Sequence, residues 1–273
     1  MPARSAALPE RAAAWIIRGF ALPWIPLLNF APVKVLRVAI HILAGSLTVL
    51  TLFPRLDIPG RSRRVGMWAA QLLAILRVEV VVKGDPDAAH RAGALLVANH
   101  VSWMDIYVIF SVARTRFISK AEVRGWPVIG WLAEAAGTLF LTREKKSDAM
   151  RLNLMMADHL RAGDCLTLFP EGTTSDGREL LPFYPSLFQP AVDAEAPVWP
   201  VRIRYLTPEG KLCLDAAYYG GMSLGESLLN IARCKAIRAE VHFLPPIPSR
   251  GLRRRELAGA AEAAIREGFT PGG

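Results

Sequence analysis

The sequence predicts an α/β fold in which a mostly parallel sheet is flanked by helices and preceded by an apolar, helical N-terminal segment. From Val78 onward, short runs rich in Val, Ile and Leu alternate with stretches of helical periodicity, the pattern of strand–helix–strand units around a parallel sheet. Before that point the chain is apolar and basic at once. Residues 1–80 hold ten Lys and Arg against three Asp and Glu, so they carry +7 of the chain's +9. The expected organisation is a membrane-anchoring segment over 1–80 and an α/β domain over 81–273.

Within the first segment, Val38–Pro54 contains no charge and is bracketed by Lys34, Arg37 and Arg55, whose long stems can reach an interface. As a helix it rises roughly 25 Å against about 30 Å for a hydrocarbon core, so it either spans a bilayer or embeds in it. Gly19–Val33 is also uncharged, but Pro23, Pro26 and Pro32 break it, and Trp15 and Trp24 suit an interfacial depth. Arg61, Arg63 and Arg64 read as a basic linker into a second apolar helix over Val65–Ile75, and the two helices together make a hairpin in one leaflet. The apolar run starts late and no small-residue cleavage site follows it, which argues against a signal peptide. Basic residues fall evenly on both sides of the run, so charge does not assign a topology. A basic segment that is also apolar fits an anionic lipid surface rather than nucleic acid, for which exposed stacking aromatics or a reading motif are expected.

In the second segment, strands are expected at Val78–Lys83, Ala94–Ala98, Arg116–Ser119, Thr138–Leu141, Cys165–Phe169, Trp199–Tyr205, Leu212–Ala216 and Ala239–Phe243. Helices are expected at Trp103–Val112, Val128–Ala136, Ser147–Arg161, Ser186–Ala194, Leu224–Cys234 and Arg254–Glu267. Cys165, Cys213 and Cys234 match no metal or redox spacing and read as buried thiols in a reducing compartment. The five histidines form no metal-binding pair of the H-E-x-x-H kind, so no metal is expected.

The chemistry concentrates where two strands end. Ala94–Ala98 runs into Asn99, His100, Val101, Ser102, Trp103, Met104 and Asp105, placing a histidine at a strand end, where α/β sheets place ligands. A neutral imidazole there can take a proton from an alcohol, and a carboxylate one helical turn on can fix its tautomer. Ser102 and Asp105 also satisfy a capping box, with Ser102 as N-cap. At the end of Cys165–Phe169 stand Pro170, Glu171, Gly172, Thr173 and Thr174, a sharp turn that brings Glu171 and both threonine hydroxyls to the same edge as His100.

The N-H-x-S-W-x-D string followed by F-P-E-G-T resembles the lysophosphatidate and glycerol-phosphate acyltransferase family. Two further blocks lie in the family's order, Gly137–Arg143 as G-x-x-F-x-x-R and Ala196–Val201 as an apolar strand with a central proline, and the resemblance covers about residues 78–245. It implies the glycerol-phosphate acyltransferase-like fold, with His100 as general base, Asp105 as its partner, and direct attack of the acceptor hydroxyl on an acyl thioester without an acyl-enzyme. It further implies that Asn99 and Ser102 brace the loop, that Arg143 binds the acceptor phosphate, and that Glu171, Gly172, Thr173 and Thr174 shape the acceptor site. No cofactor is expected, because the donor, acyl-CoA or acyl carrier protein, is a substrate. The implied acceptor is lysophosphatidate, giving phosphatidate at the cytoplasmic face of the inner (plasma) membrane, with membrane lipids as partners and no nucleic acid.

One departure bears on the acceptor. Many lysophosphatidate-acylating members read F-P-E-G-T-R, and Thr174 stands where that arginine would be. Either Arg178 replaces it or the acceptor is another lysolipid, a lyso-aminolipid such as lyso-ornithine lipid or a different lysophospholipid. Two readings of other classes compete. Gly221–Gly225 fits a G-x-S-x-G nucleophile elbow, so a serine esterase would use Ser223 with Glu240 and His242, but those two stand on one expected strand, and Ser223 with Glu226 reads better as a capping box. A noncatalytic lipid-binding protein is the other. Trp126–Trp131 is expected in the core or along an acyl tunnel, and Arg250, Arg253, Arg254 and Arg255 at a solvated helix start.

Overall fold

The computed structural model describes residues 15–17, 30–141 and 146–269. Among them lies an eight-stranded sheet. In chain order its strands are β1 (Trp15–Ile17), β2 (Val78–Lys83), β3 (Leu95–Ala98), β4 (Arg116–Lys120), β5 (Leu139–Leu141), β6 (Leu166–Leu168), β7 (Val198–Leu206) and β8 (Ile237–Phe243), arranged β1-β2-β8-β7-β3-β6-β4-β5. The pairs β2–β8, β3–β7, β3–β6, β4–β6 and β4–β5 are parallel, whereas β1–β2 and β7–β8 are antiparallel. The mostly parallel sheet expected from the alternating textures is therefore the one observed.

Helices cover both faces. α1 (Ala31–Thr51), α2 (Ile58–Leu76), α4 (Met104–Val112) and α9 (Leu224–Arg233) lie on one, α7 (Lys146–Arg161), α8 (Gln189–Asp193) and α10 (Arg254–Arg266) on the other, and α3 (Pro86–Arg91), α5 (Ala121–Arg124) and α6 (Ile129–Ala135) are short connectors. The strand period of two divides the core. Leu96 and Ala98 of β3 join Leu72, Leu73 and Leu76 of α2, while Leu95 and Val97 join Leu152, Met156 and Leu160 of α7.

The N-terminal segment belongs to this architecture. Residue 80 falls inside β2, and α2 contributes to the same buried cluster as β7 and β8. α2 begins at Ile58 on an Asp57 cap whose carboxylate accepts the Gly60 amide at 2.8 Å, so Arg61, Arg63 and Arg64 sit in its first turns rather than in a linker. α1 and α2 are locked by a reciprocal pair: Trp68 Nε1 donates to the His41 carbonyl at 3.1 Å, His41 Nε2 lies 2.9 Å from the Trp68 carbonyl, and the rings stack at 4.7 Å. Lys34 is fully buried and its Nζ donates to the Cys234 carbonyl at 2.7 Å, tying α1 to the end of α9. The opposite face of α1 is an exposed aliphatic stripe, Leu36, Ile40, Leu43, Leu47 and Leu50, spaced as one side of a helix.

Two further expectations are corrected. Leu212–Ala216 is not a strand: Leu212 makes a single bridge to Leu206, and beyond Cys213 the Ala216 and Ala217 amides turn back onto the Cys213 and Leu214 carbonyls, making Leu214–Ala216 a 3-10 turn. The helix expected over Ser186–Ala194 is a 3-10 turn, Pro185–Phe188, followed by the short α8, since Pro190 withholds an amide. Trp24 lies outside the described residues.

Candidate active site

Because β3 and β6 are parallel neighbours, the segments leaving their C-terminal ends meet at one sheet edge. His100 follows β3 and Glu171 follows β6, and the two loops are sewn together through backbone. Glu171 Oε1 accepts the His100 amide at 2.6 Å and Oε2 the Leu181 amide at 2.9 Å, while the Ser175 amide donates to the His100 carbonyl at 2.9 Å. Burial, helped by the nearby Asp105 and Glu262 carboxylates, pushes Glu171 up to about 7 against the two amides that favour its charge. Its carboxylate therefore faces inward onto amides, not outward to a ligand.

The imidazole is fixed from two sides. Its Nδ1 lies 2.7 Å from Asp105 Oδ2, and the ring lies flat on Phe169 with centroids 3.8 Å apart and planes 7° apart. Asp105 is 0% exposed and accepts three more hydrogen bonds, from the Val101 and Ser102 amides at 2.7 and 2.9 Å and from the Tyr205 hydroxyl at 2.7 Å. Burial and the adjacent Asp105 hold Tyr205 well above its ordinary value, so the phenol keeps its proton and donates. With the carboxylate acting as acceptor, Nδ1 carries the ring proton and Nε2 is the basic nitrogen. Nε2 has no hydrogen-bond partner among the described residues, and 18% of the His100 side chain is exposed.

Asn99 continues the β3–β7 ladder by side chain: its Nδ2 donates to the Ile203 carbonyl at 2.9 Å and its Oδ1 accepts the Ile203 amide at 2.7 Å. Ser102 is buried and its Oγ accepts the Met104 amide at 3.3 Å. The expected capping box is only half made, since Trp103 stands at the N-cap of α4 while the Asp105 carboxylate takes the Ser102 amide. Gly172 has a φ of 69°, and a β-carbon there would meet the Tyr184 ring. Thr173 is exposed and Thr174 half-buried on the same turn. Arg143 lies outside the described residues. Arg178 is paired with Asp176 at 3.0 Å.

Sequence reasoning missed Tyr205, Phe169 and Ser175. Tyr205 sits in the alternating apolar run of β7, where nothing separates a partner of Asp105 from an ordinary core aromatic.

The esterase constellation is not assembled among the described residues. Ser223 Oγ accepts the Glu226 amide at 3.2 Å as the cap of α9, Glu240 pairs with Lys83, and His242 accepts from Arg202. Trp126, Val128 and Trp131 are 42%, 48% and 39% exposed, so they line neither a core nor an enclosed tunnel.

A buried carboxylate orients an imidazole at the C-terminal edge of a mostly parallel sheet, and the sequence comparisons supply the class: this chain belongs to the acyltransferase family, whose pattern matches residues 79–204. It is 41% identical over 225 residues to the lyso-ornithine lipid O-acyltransferase of Pseudomonas aeruginosa, covering 82% of this chain and 85% of that protein. It is also 37% identical over 184 residues to the 1-acyl-sn-glycerol-3-phosphate acyltransferase of Neisseria meningitidis, covering 67% and 71%. Its fold matches the crystal structure of the 1-acyl-sn-glycerophosphate acyltransferase PlsC from Thermotoga maritima with a TM-score of 0.60 at 21% identity, over 88% of this chain and 96% of that one.

Proposed function

We propose that this acyltransferase moves a fatty acyl group from a thioester carrier to the free hydroxyl of lyso-ornithine lipid, with His100 as general base. The observation that carries the catalytic assignment is the dyad itself, an imidazole with Nδ1 held by a fully buried Asp105 and Nε2 free beside the Glu171 loop. Nε2 takes the acceptor's proton as its oxygen attacks the thioester carbonyl, Asp105 stabilises the imidazolium, and collapse breaks the carbon–sulfur bond. The proton then passes to the departing thiolate. Glu171 acts through the backbone as a positioning residue, holding the His100 amide with one oxygen and the Leu181 amide with the other.

Two features favour the aminolipid acceptor. Thr174 supplies no cation at the turn, and Arg178 is already paired with Asp176, which lowers the local positive charge available to a phosphate monoester. The 41% identical relative carries the lyso-ornithine name. Lysophosphatidate is the second reading, favoured by the Neisseria relative. The donor is acyl-CoA or acyl carrier protein, both anionic and cytosolic, which matches a chain of net charge +9 acting at the cytoplasmic face. The α1 stripe is the anchoring surface, embedded in one leaflet while Lys34, Val38 and Gly45 stay against the protein.

Incubating the purified chain with labelled acyl-CoA or acyl carrier protein and vesicles holding lyso-ornithine lipid or lysophosphatidate separates the readings. Preferential labelling of the aminolipid is expected. Preference for lysophosphatidate transfers the assignment to the second reading, and no donor-dependent product with either acceptor contradicts both. Thr174→Arg is expected to raise turnover of lysophosphatidate relative to the aminolipid.

A further inference from the structure

We infer that the turn Trp126–Val128 with Trp131 is a second lipid-inserting surface, separate from α1, which presses the catalytic edge against the bilayer. The inference rests on the membrane role proposed above for α1, and it concerns residues outside the dyad and its supporting loops.

The turn is built to present apolar groups outward. Val128 has a φ of 64° and a ψ of −50°, a conformation a β-branched residue adopts only when its surroundings impose it. They do impose it. Gly130 is buried against the Arg124 carbonyl, where any β-carbon would collide, and its amide donates to the Trp126 carbonyl at 2.9 Å. Arg124 pairs with Glu134 at 2.6 Å, fastening α5 to α6, and its guanidinium lies 5.9 Å from the Phe140 ring centroid. A scaffold this tightly specified holds Trp126 and Val128 42% and 48% exposed, with Trp131 39% exposed on the helix that follows. Exposed large apolar groups on a rigid turn, with tryptophans among them, are what a bilayer interface accommodates and water does not.

Topology says which surface this is. The turn follows β4, which runs parallel to β6 as β3 does, so the connection departs from the same sheet edge as His100. α6 then packs against α1, whose outer face carries the Leu36–Leu50 stripe. The turn is thus continuous with the anchoring helix on one side and shares the sheet edge of the dyad on the other. A lipid surface meeting both places the acceptor hydroxyl at the depth of the dyad without drawing its acyl chain into water.

Sedimentation with sucrose-loaded phosphatidylethanolamine and phosphatidylglycerol vesicles tests this on the full chain. Trp126→Ser with Val128→Gly removes the apolar groups while suiting the positive φ, and is expected to weaken partitioning about tenfold, the scale of burying such side chains. The more conservative Trp126→Phe is expected to retain most of the binding. Unchanged partitioning of a folded double variant overturns the inference, as does unchanged partitioning together with an altered preference for acyl-chain length, which would make the turn part of an acyl groove. If the double variant loses its fold by circular dichroism, quenching of Trp126 emission by brominated phospholipids, read as the difference between wild type and Trp126→Phe, decides instead: quenching supports insertion and its absence contradicts it. Because partitioning is measured without turnover, a failed acyl-transfer assay leaves this result standing.

Discussion

Among the described residues are two histidine–aspartate pairs with the same sequence spacing, one at each end of the parallel strands. His100 and Asp105 follow β3 at its C-terminal end, and His159 and Asp164 precede β6 at its N-terminal end. The Nδ1 to carboxylate distances are alike, 2.7 and 2.8 Å. Everything around them differs. Asp105 is 0% exposed and held by two amides and a phenol, whereas the Asp164 side chain is 34% exposed and shared with Arg116 at 3.4 Å. His159 lies in the last turn of α7, and the Asp164 amide closes that helix on the His159 carbonyl. A histidine–aspartate contact is therefore not a site by itself. What distinguishes the first pair is a dry carboxylate with both oxygens engaged, an imidazole clamped on Phe169, and an open nitrogen at the edge where two loops converge.

Weakening the buried pair should bring the largest effect. Asp105→Asn keeps an acceptor for the amides but forces the wrong tautomer or rotamer on His100, and steady-state turnover is expected to fall about a hundredfold or more. A loss under threefold would show that the carboxylate does not orient the base. Next comes Tyr205→Phe, which strips one donor from a fully buried carboxylate and should cost about 1–3 kcal/mol in urea unfolding. A cost indistinguishable from zero would mean water replaces the phenol.

Glu171 sharpens the comparison through pH. Its folded value, about 7, lies above the ordinary 4.5, so the folded state holds this proton more tightly than the unfolded one. The associated stability is fully present below about 4.5 and is lost as the pH rises through about 7. Relative to Glu171→Gln, which carries no such proton, the wild type should lose stability across that window, and parallel stability–pH curves for the two would contradict the burial argument. The smallest effect is expected at the half-buried pair, where His159→Ala should cost about 0–1 kcal/mol in the same unfolding measurement.

Much of this was legible in the residues. Alternating β-branched runs located seven of the strands, and two strand-end strings placed His100, Asp105 and Glu171 at one edge. β1 was not legible, being a three-residue strand in a segment read for its apolar character, and it forms by pairing with β2 rather than by any local pattern. The inward turn of Glu171 was hidden for a related reason: a carboxylate beside a glycine turn looks the same in sequence whether it meets a ligand or two distant amides. The exposure of Trp126 and Val128 was misread because outward and inward apolar turns share a composition, and only the Gly130 contact with Arg124 distinguishes them.

The most direct measurement is the rate of acyl transfer from labelled donor to lysolipid in vesicles for His100→Ala and His159→Ala side by side. A drop of about a hundredfold or more for the first, with the second within about twofold of wild type, is the predicted result. Near wild-type turnover for His100→Ala, or equal losses for both, would contradict the assignment of the buried pair as the catalytic one.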